Sequence, residues 1–264
     1  MLNLIIIVVN HNHGDLARRA VESLYTLPDQ TRFQLIAVDN ATTDGFAGWL
    51  SNCYPQATVI KNIHPQGFAH NNNQAIRHAP DSTYILLLNP DIECQPGLLD
   101  ILIAFMDAHP NVGIAGPKLL NPDLTSQPSA RRFSTPLPLL ARGMHLDGIL
   151  KNTRFMRDYL GADFNSEDAM EVDWVTGALM IVRRRAISQV GLMDEDYFLY
   201  AEDQDWCCRM WRAGWSVYYV PQARAIHKHL REGMRKPWSK ATRYQLISAF
   251  LMFRKFGWRL SRTT

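Results

Sequence analysis

Short, β-branched apolar runs alternate with amphipathic helical segments through the first half of the chain. The pattern predicts strands at residues 4–9, 33–38, 58–60 and 84–88 and helices at residues 15–27, 45–53, 69–78 and 97–109. Strands and helices that alternate in this way form βαβ units, in which helices cover a mostly parallel sheet. The sequence therefore predicts an α/β fold with a Rossmann-like, mixed but mostly parallel sheet.

The alternation is less regular in the second half of the chain. Residues 121–138 are rich in Pro, Ser and Thr, which predicts a loop, and residues 151–172 are polar with weak periodicity. Further elements are predicted as a strand within residues 174–182, a helix at 203–213 and a strand at 216–220. We therefore divide the chain into residues 1–120, residues 121–232 of the same globule, and a C-terminal segment of residues 233–264.

The composition predicts a globular protein. The chain has 264 residues, of which 47% are hydrophobic, and this is enough to bury a full core. The N-terminal segment has no basic leader, and no apolar run reaches the ~18 residues of a membrane span. The cysteines lack the spacing of a metal site, so we interpret them as reduced, buried thiols. These features predict a cytoplasmic protein, at most peripheral on the inner face of the plasma membrane.

The net charge of +3 conceals an asymmetry. Eight of the 28 Lys and Arg residues follow Glu232 and no acid does, so residues 1–232 carry 20 basic against 25 acidic side chains. Apolar side chains interleave with these basic ones, which predicts an amphipathic C-terminal helix. Such a helix either binds an anionic membrane surface or packs on the domain with its basic face in solvent. Nucleic acid is disfavoured, because basic residues do not dominate elsewhere.

Polar residues follow the first two predicted strands: Asn10 comes after Val9, and Asp39 and Asn40 end the second run. Open α/β sheets bind ligands at the carboxyl ends of their strands. Neither segment has the glycine triplet of a dinucleotide fold or a Gly-Lys-Ser/Thr phosphate loop, so NAD and ATP chemistry lose support. Asp39 either accepts a hydrogen bond from a base or ribose, or forms an Asx turn that closes the strand.

Gly67 and Phe68 precede a predicted helix whose first turn contains three consecutive asparagines. Glycine lets the backbone approach a ligand closely, and a helix N-terminus favours a diphosphate or a sugar. Asparagine is a poor helix former, and capping explains only one of the three. We therefore interpret Gly67, Phe68 and Asn72 as ligand-binding residues.

Asn89-Pro90-Asp91 follows the fourth predicted strand, and turn chemistry alone accounts for such a segment. The functional alternative is that Asp91 supplies oxygen ligands to Mg²⁺ or Mn²⁺ bridging two phosphates, with Asn89 adding a neutral oxygen. His227 is a second candidate metal ligand, the alternative being an ordinary core or surface imidazole. Arg231 is a candidate for binding a diphosphate.

Glu202 and Asp203 begin a predicted helix, after an aromatic segment that ends at Tyr200. The helix dipole favours acids at this position whatever their function. A carboxylate held near an aromatic wall can also act as a general base toward a hydroxyl group. We predict Asp203 as that base, with Glu202 as the second candidate.

Together, these segments resemble family 2 glycosyltransferases of the GT-A fold, and more narrowly the bacterial rhamnosyltransferases of O-antigen and related polysaccharides. The resemblance is carried by residues 8–10, 38–40 with 44, 67–69 with 72–73, 88–91, 172–174 with 177–178, 200–205 and 226–227. It spans residues 3–230. Any one of these motifs is weak, whereas their order and spacing are specific.

The resemblance implies roles for individual residues in a single inverting displacement. Asp91 would hold the metal and the donor diphosphate, Asp39 the nucleotide base, and Asp203 the acceptor proton. Asn89 stands where the fuller Asp-x-Asp motif has Asp. The rhamnosyl subgroup resembles this chain in having Asn at that position. The implied donor-binding set is Val9, Asn10, Asp39, Asn40, Gly67, Phe68, Asn72, Asn89, Asp91 and Arg231. The implied acceptor-binding set is Trp174, Thr176, Gly177 and Tyr200.

The resemblance also implies substrates. The donor would be dTDP-L-rhamnose and the acceptor a saccharide on a polyprenyl diphosphate, which would bring the basic tail to a membrane surface. Residues 1–120 would then bind the nucleotide sugar, and residues 121–232 the acceptor. Two alternatives remain: a sugar nucleotidyltransferase, although no glycine-rich basic loop is visible near the N-terminus, and a non-catalytic subunit that binds a sugar or lipid carrier.

Overall fold

A computed structural model of the chain describes residues 2–133, 147–150, 153, 167–228, 240–257 and 260–263. The helices are α1 (Gly14–Tyr25), α2 (Phe46–Cys53), α3 (Phe68–His78), α4 (Leu98–Ala108), α5 (Asp147–Leu150), α6 (Arg184–Val190), α7 (Glu202–Arg212) and α8 (Lys240–Phe256). The strands are β1 (Leu2–Asn10), β2 (Phe33–Asn40), β3 (Thr58–Asn62), β4 (Ser82–Leu88), β5 (Ile92–Cys94), β6 (Val112–Leu120), β7 (Ser126–Gln127), β8 (Ala130–Arg131), β9 (Met170–Glu171), β10 (Trp174–Val175), β11 (Leu179–Arg183) and β12 (Ser216–His227).

The main sheet has ten strands, and its path runs β3-β2-β1-β4-β11-β6-β12-β5, with β7 beside β6 and β9 beside β12. β1 pairs in parallel with β2 and β4, and β2 in parallel with β3. β11 is antiparallel to β4 and β6, whereas β12 runs parallel to β6. This mixed, mostly parallel sheet confirms the predicted fold class.

Helices bury the central strands on both faces. In β1, Leu4, Ile6 and Val8 belong to the core beneath α1, α2 and α4. Ile5 and Ile7 belong to the opposite core, beneath α3, α6 and α7. Burial on both faces explains why β1 reads as a continuous apolar run. The strand ends are thus the places where polar groups of this sheet can reach a ligand.

The second half of the sheet contains strand residues that the sequence pattern did not predict. β6 covers Val112–Leu120, where we predicted no strand, and β12 continues to His227 instead of ending at Val220. The sequence of β6 does not resemble a strand, because it contains two glycines and a proline, which are rare inside strands. Gly116 is required by packing, since a Cβ there would lie 2.7 Å from the Cβ of Val175. A bulge between Val220 and Arg224 interrupts the pattern of β12.

The predicted C-terminal helix is present as α8, and it packs on the domain. Met252 is fully buried. The Nζ atom of Lys255 lies 2.6 Å from carboxylate oxygens of both Asp194 and Asp205. The inner side of α8 therefore forms part of the domain, as one of the two sequence interpretations requires.

The cysteines partly differ from the prediction. All four are free thiols, but Cys53 is exposed while the other three are buried. Burial raises the pKa of the Cys94 thiol to about 12, so this side chain is protonated and unreactive. Within the ranges that the structure describes, no helix combines the length and apolarity needed to cross a bilayer.

Candidate active site

Two adjoining cavities open at the edge of the sheet where β1, β2 and β4 end. The β1 cavity, of about 350 Å³, is lined by Val9, His11, His13, Asn40, Pro65, Gln66, Phe68, Asn71, Asn89, Pro90, Asp91, Phe198 and Leu199. The α7 cavity, of about 290 Å³, is lined by Phe68, Asn89, Asp91, Leu119, Gln127, Pro128, Arg131, Thr176, Gly177, Ala178, Leu199, Tyr200, Glu202, Asp203 and His227. The two share Asn89 and Asp91, so a ligand in either cavity lies beside these side chains.

The end of β4 is a tight turn that also belongs to this site. The Asn89 N–H donates to the Ala178 carbonyl at 2.8 Å, and the Asn89 carbonyl accepts from the Ile92 N–H at 3.2 Å. The turn aims Asn89 and Asp91 into the boundary between the cavities. The segment Asn89-Pro90-Asp91 is therefore both a turn and part of the cavity lining, although these were predicted as alternatives.

Strand pairing brings Asp91 and His227 together. Ile92 opens β5 and is the register partner of His227 at the end of β12. As a result, His227 Nε2 lies 3.3 Å from Asp91 Oδ2. Both predicted metal-ligating residues thus meet at one point, although 136 positions of sequence separate them.

Gln127 fixes the hydrogen-bonding state of the His227 ring. Its Nε2 donates to the His227 carbonyl and to Asn121 Oδ1, both at 2.7 Å. Its Oε1 therefore accepts from His227 Nδ1, at 2.9 Å. A neutral ring then points the lone pair of Nε2 at the Asp91 carboxylate, an arrangement that is attractive only with a proton or a cation between them. Orientation of a ligating histidine through its second nitrogen is usual in metal sites.

A strained turn presents Glu202 and Asp203 at the start of α7. Tyr200 and Ala201 have φ angles of 71° and 69°, a left-handed conformation that is uncommon outside glycine. Such strain persists where the surrounding contacts enforce it, and it is concentrated at functional sites. Gly177 supplies one such contact, because its N–H donates to Asp203 Oδ2 at 2.9 Å.

Glu202 and Asp203 both hold their protons more tightly than ordinary acids. Burial raises the pKa of Asp203, while hydrogen bonds from the Gly177 and Gln204 N–H groups and the charge of Arg131 oppose this rise. Burial, and then the neighbouring Asp203 carboxylate, raise the pKa of Glu202 well above its usual value. Glu202 is 5% exposed, and its Oε2 has no hydrogen-bond partner among the described residues. Glu202 is therefore suited to the neutral, protonated form, and Asp203 to accepting a proton.

Buried asparagines shape the wall of the β1 cavity. Asn40 accepts from the Gln66 N–H at 2.8 Å and donates to the Gln66 carbonyl at 3.0 Å. Asn71 donates to the Gln66 and Gly67 carbonyls, and Asn62 links Asn71 to Asn40. These amides hold the loop before α3 against the end of β2, which fixes the position of a cavity wall.

Three residues that were predicted to bind the donor form hydrogen bonds within the protein. Asn10 is fully buried and donates to Asp44 Oδ2 at 2.9 Å. Asn72 is buried and donates to the Phe68 carbonyl. Asp39 Oδ1 accepts from the Thr42 N–H, which is the Asx turn that the sequence analysis gave as its alternative. None of the three is among the residues that line either cavity.

Gly67 and Trp174, which were predicted to bind substrates, contact other parts of the protein. Gly67 does permit a close approach, but of the backbone: a Cβ there would lie 2.8 Å from the Phe198 carbonyl oxygen. Trp174 is buried, donates from Nε1 to the Arg132 carbonyl and lines neither cavity. Val9, Asn40, Phe68, Thr176, Gly177 and Tyr200 do line a cavity, as do Asn89, Asp91, Glu202, Asp203 and His227. Arg231 lies outside the described residues.

Several cavity residues were not predicted. Gln127 and Arg131 lie in the segment that the sequence analysis assigned to a loop, and His11 and Asn71 lie beside predicted residues. A polar residue in a loop rich in Pro and Ser carries no periodic signal. The proximity of His227 to Asp91 depends on the pairing of β12 with β5, which leaves no signal along the chain. Gln127 therefore could not be connected with His227.

Comparison with known proteins agrees with this architecture. A family model described as Glycosyl transferase family 2 matches residues 5–160, and one described as Glycosyl transferase family group 2 matches residues 144–263. Mannosyltransferase PcManGT from Pyrobaculum calidifontis, in complex with GDP-Man and Mn²⁺, has a TM-score of 0.58 at 15% identity. That match covers 96% of this chain and 74% of the mannosyltransferase. The fold is that of the GT-A glycosyltransferases.

The chain belongs to glycosyl transferase family 2. It is 28% identical over 266 residues to an N-acetylglucosaminyl-diphospho-decaprenol L-rhamnosyltransferase of Mycobacterium tuberculosis, a match covering 96% of this chain and 85% of that protein. It is 29% identical to rhamnosyltransferase WbbL of Escherichia coli K12, with 93% of this chain and 90% of WbbL covered. The predicted family and enzyme class, a glycosyltransferase, are thereby confirmed.

Proposed function

We propose that this glycosyltransferase moves L-rhamnose from dTDP-L-rhamnose to a saccharide on a polyprenyl diphosphate, with inversion at the sugar carbon. Two relatives named as rhamnosyltransferases match more than nine-tenths of the chain, and the name of one specifies a diphospho-decaprenol acceptor. The observation that carries the proposal is the pair of cavities that meet at Asn89 and Asp91. A transferase needs two substrate sites that share the reacting point.

The donor occupies the β1 cavity and the acceptor the α7 cavity in this proposal. Val9 and Asn40, at the ends of β1 and β2, line the β1 cavity, and strand ends are the usual nucleotide position in an open α/β sheet. Glu202 and Asp203 line the α7 cavity, where an acceptor hydroxyl needs a base. The diphosphate then lies between the cavities, beside Asp91.

Asp203 is the base for the displacement. The acceptor oxygen forms a bond to the anomeric carbon while the bond from that carbon to the diphosphate oxygen breaks, and Asp203 takes the hydroxyl proton. Arg131 and the Gly177 N–H favour the ionised form of Asp203 against the effect of burial. Neutral Glu202 adds no second charge at this point and can donate a hydrogen bond to the acceptor.

Asp91 and His227 are suited to hold a divalent metal ion, Mn²⁺ or Mg²⁺. The oriented lone pair of His227 Nε2 faces the Asp91 carboxylate, as the ligands of one cation do. The described residues contain no group of three or more His, Cys, Asp or Glu side chains able to hold a metal ion. The diphosphate and water would therefore supply the remaining ligands. A bound divalent ion neutralises charge on the leaving diphosphate.

The acceptor implies a partner and a location. A polyprenyl chain stays in the bilayer, so we propose that the enzyme works at an anionic membrane surface from the cytoplasmic side, with its C-terminal segment in contact with that surface. The basic excess after Glu232 supports this part of the proposal. O-antigen or a related polysaccharide is the expected product class.

A thermal-shift screen tests the donor assignment. The purified chain is heated with dTDP-, UDP- and GDP-sugars, each with Mn²⁺ and with EDTA. We expect dTDP-L-rhamnose with Mn²⁺ to raise the melting temperature most, because a ligand that binds only the folded state stabilises it. Equal stabilisation by GDP-mannose or UDP-sugars would contradict the rhamnosyl assignment. Equal stabilisation in EDTA would contradict the metal assignment.

A further inference from the structure

One side of α8 is apolar, exposed and bounded by arginines. Leu246, Ile247 and Phe250 are 48%, 44% and 67% exposed. Arg243 precedes Ile247 by four positions and Arg254 follows Phe250 by four, and both arginines are exposed. Residues three and four apart lie on the same side of a helix. We call these five residues the outer face of α8.

The opposite side of α8 is committed to the domain. Ser248 Oγ donates to the Leu199 carbonyl at 2.9 Å, and the ring of Tyr244 stacks on Phe198 with 4.6 Å between centroids. Lys255 bridges Asp194 and Asp205. The contacts that fix α8 in position therefore come from its inner side. Packing among the described residues does not account for the exposure of three large apolar side chains.

The inner side of α8 packs against a segment that lines the candidate active site. Phe198 lines the β1 cavity, and Leu199 lines both cavities. These residues are the ones that Tyr244 and Ser248 contact. A surface that binds the outer face of α8 would therefore lie within one helix width of the segment that forms the cavity wall.

We propose that the outer face of α8 is a docking surface for an anionic lipid bilayer. The charges of α8 are Lys240, Arg243, Arg254 and Lys255, and the helix contains no acid. Apolar side chains on a helix with a basic rim bind at the boundary between headgroups and acyl chains. The inference rests on the proposed function, because an acceptor held in the bilayer must reach the α7 cavity from the membrane side.

Co-sedimentation of the full chain with vesicles tests this docking surface. The wild type is expected to bind phosphatidylcholine vesicles that contain phosphatidylglycerol and to stay unbound with phosphatidylcholine alone. A triple variant, Leu246→Ser, Ile247→Ser and Phe250→Ser, should lower the partition coefficient more than about tenfold, since each large apolar side chain contributes to burial. The matched control, Ile63→Ser with Leu124→Ser, removes exposed apolar side chains elsewhere and should bind like the wild type.

Charge is tested separately. Arg243→Gln and Arg254→Gln should each weaken vesicle binding about fivefold, and the loss should shrink as salt is added. Arg32→Gln is the matched control, because Arg32 is exposed but lies outside α8. Equal binding by the arginine variants and this control would overturn the electrostatic part of the inference.

Three results would overturn the docking surface: no binding by the wild type, unchanged binding by the triple variant, or a dimer that the triple variant dissociates without any change in vesicle binding. The last result would assign the face to a second copy of the chain. Calorimetry with dTDP-L-rhamnose separates this test from that of the proposed function. The triple variant should keep donor affinity, whereas a wild type that binds vesicles but no donor would contradict the proposed function alone.

Discussion

Glu202 is the residue whose environment departs most from that of an ordinary carboxylate. It begins a helix, where a charged acid would be favoured, yet it is buried and its Oε2 has no hydrogen-bond partner among the described residues. Burial and the adjacent Asp203 raise its pKa well above 4.5. The two consecutive acids therefore differ in environment, which is how proteins assign different roles to neighbouring carboxyl groups.

Replacing Glu202 by Gln tests this protonation state. Because the folded pKa of Glu202 lies above its unfolded value of 4.5, the wild type loses stability as pH rises through the interval between them. Gln does not titrate, so Glu202→Gln should match the wild type below this interval. Within it, the variant should gain about 1.4 kcal/mol in relative stability per pH unit.

Urea unfolding across this pH range measures the difference. Glu167→Gln is a suitable control, because Glu167 is exposed and its carboxylate pairs with Lys118 and Arg224 away from Glu202. A constant difference between Glu202→Gln and the wild type at every pH would contradict a neutral Glu202.

His227 and Gln127 give a second prediction at the residue scale. His227→Ala should weaken Mn²⁺-dependent nucleotide binding more than tenfold, and Gln127→Met about tenfold, because losing the hydrogen-bond partner of a ligating histidine typically costs ~10- to 100-fold in metal affinity. Gln222→Met is the matched control, since Gln222 contacts the Glu167 carbonyl away from the site. Calorimetry with dTDP, in Mn²⁺ and in EDTA, measures both effects. Losses of equal size in EDTA would show that His227 and Gln127 do not act through a metal.

At the scale of elements, α8 stabilises α7 and the segment before it. Lys255 contacts Asp205, which is fully buried and also pairs with Arg209 at 2.6 Å. Lys255→Met should lower the free energy of unfolding by about 1.5 to 3 kcal/mol, the range for hydrogen bonds to charged groups. Lys240→Met, at the exposed start of the same helix, is the control. Equal stability of the two variants in urea unfolding would contradict a structural role for the Lys255 contacts.

Sequence periodicity predicted the elements of the first half well, because strands buried on both faces and amphipathic helices carry strong local signals. It failed for β6, because Gly113, Gly116 and Pro117 break the sequence pattern of a strand. Pairing with the neighbouring strands stabilises β6 nevertheless. The asparagines of α3 were ambiguous for a related reason. Their unusual number signalled a special role, but Asn71 and Asn73 bind backbone groups of two different loops. Local composition cannot distinguish such clamps from ligand contacts.

For the whole molecule, the candidate site is assembled from both halves of the chain. The turn after β4 carries Asn89 and Asp91, whereas the end of β12 carries His227 and the start of α7 carries the two acids. The resemblance of the motifs, in their order and spacing, to family 2 glycosyltransferases pointed to most of these residues. It could not identify Gln127 or Arg131, because their positions depend on pairing of short strands with β6 and β10. Motifs thus pointed to candidate residues, and tertiary pairing determines how their side chains are placed.

The most direct test of the central claim is sugar transfer by wild type and Asp203→Asn. Labelled rhamnose is followed from dTDP-L-rhamnose to a polyprenyl-diphosphate-linked N-acetylglucosamine with Mn²⁺ present, and donor affinity is measured by calorimetry. Asp196→Asn, in the exposed turn before α7, is the control. The account predicts transfer by the wild type and the control, and a rate about 10²- to 10⁴-fold lower for Asp203→Asn with unchanged donor affinity. Near-normal transfer by Asp203→Asn, or none by the wild type, would contradict it.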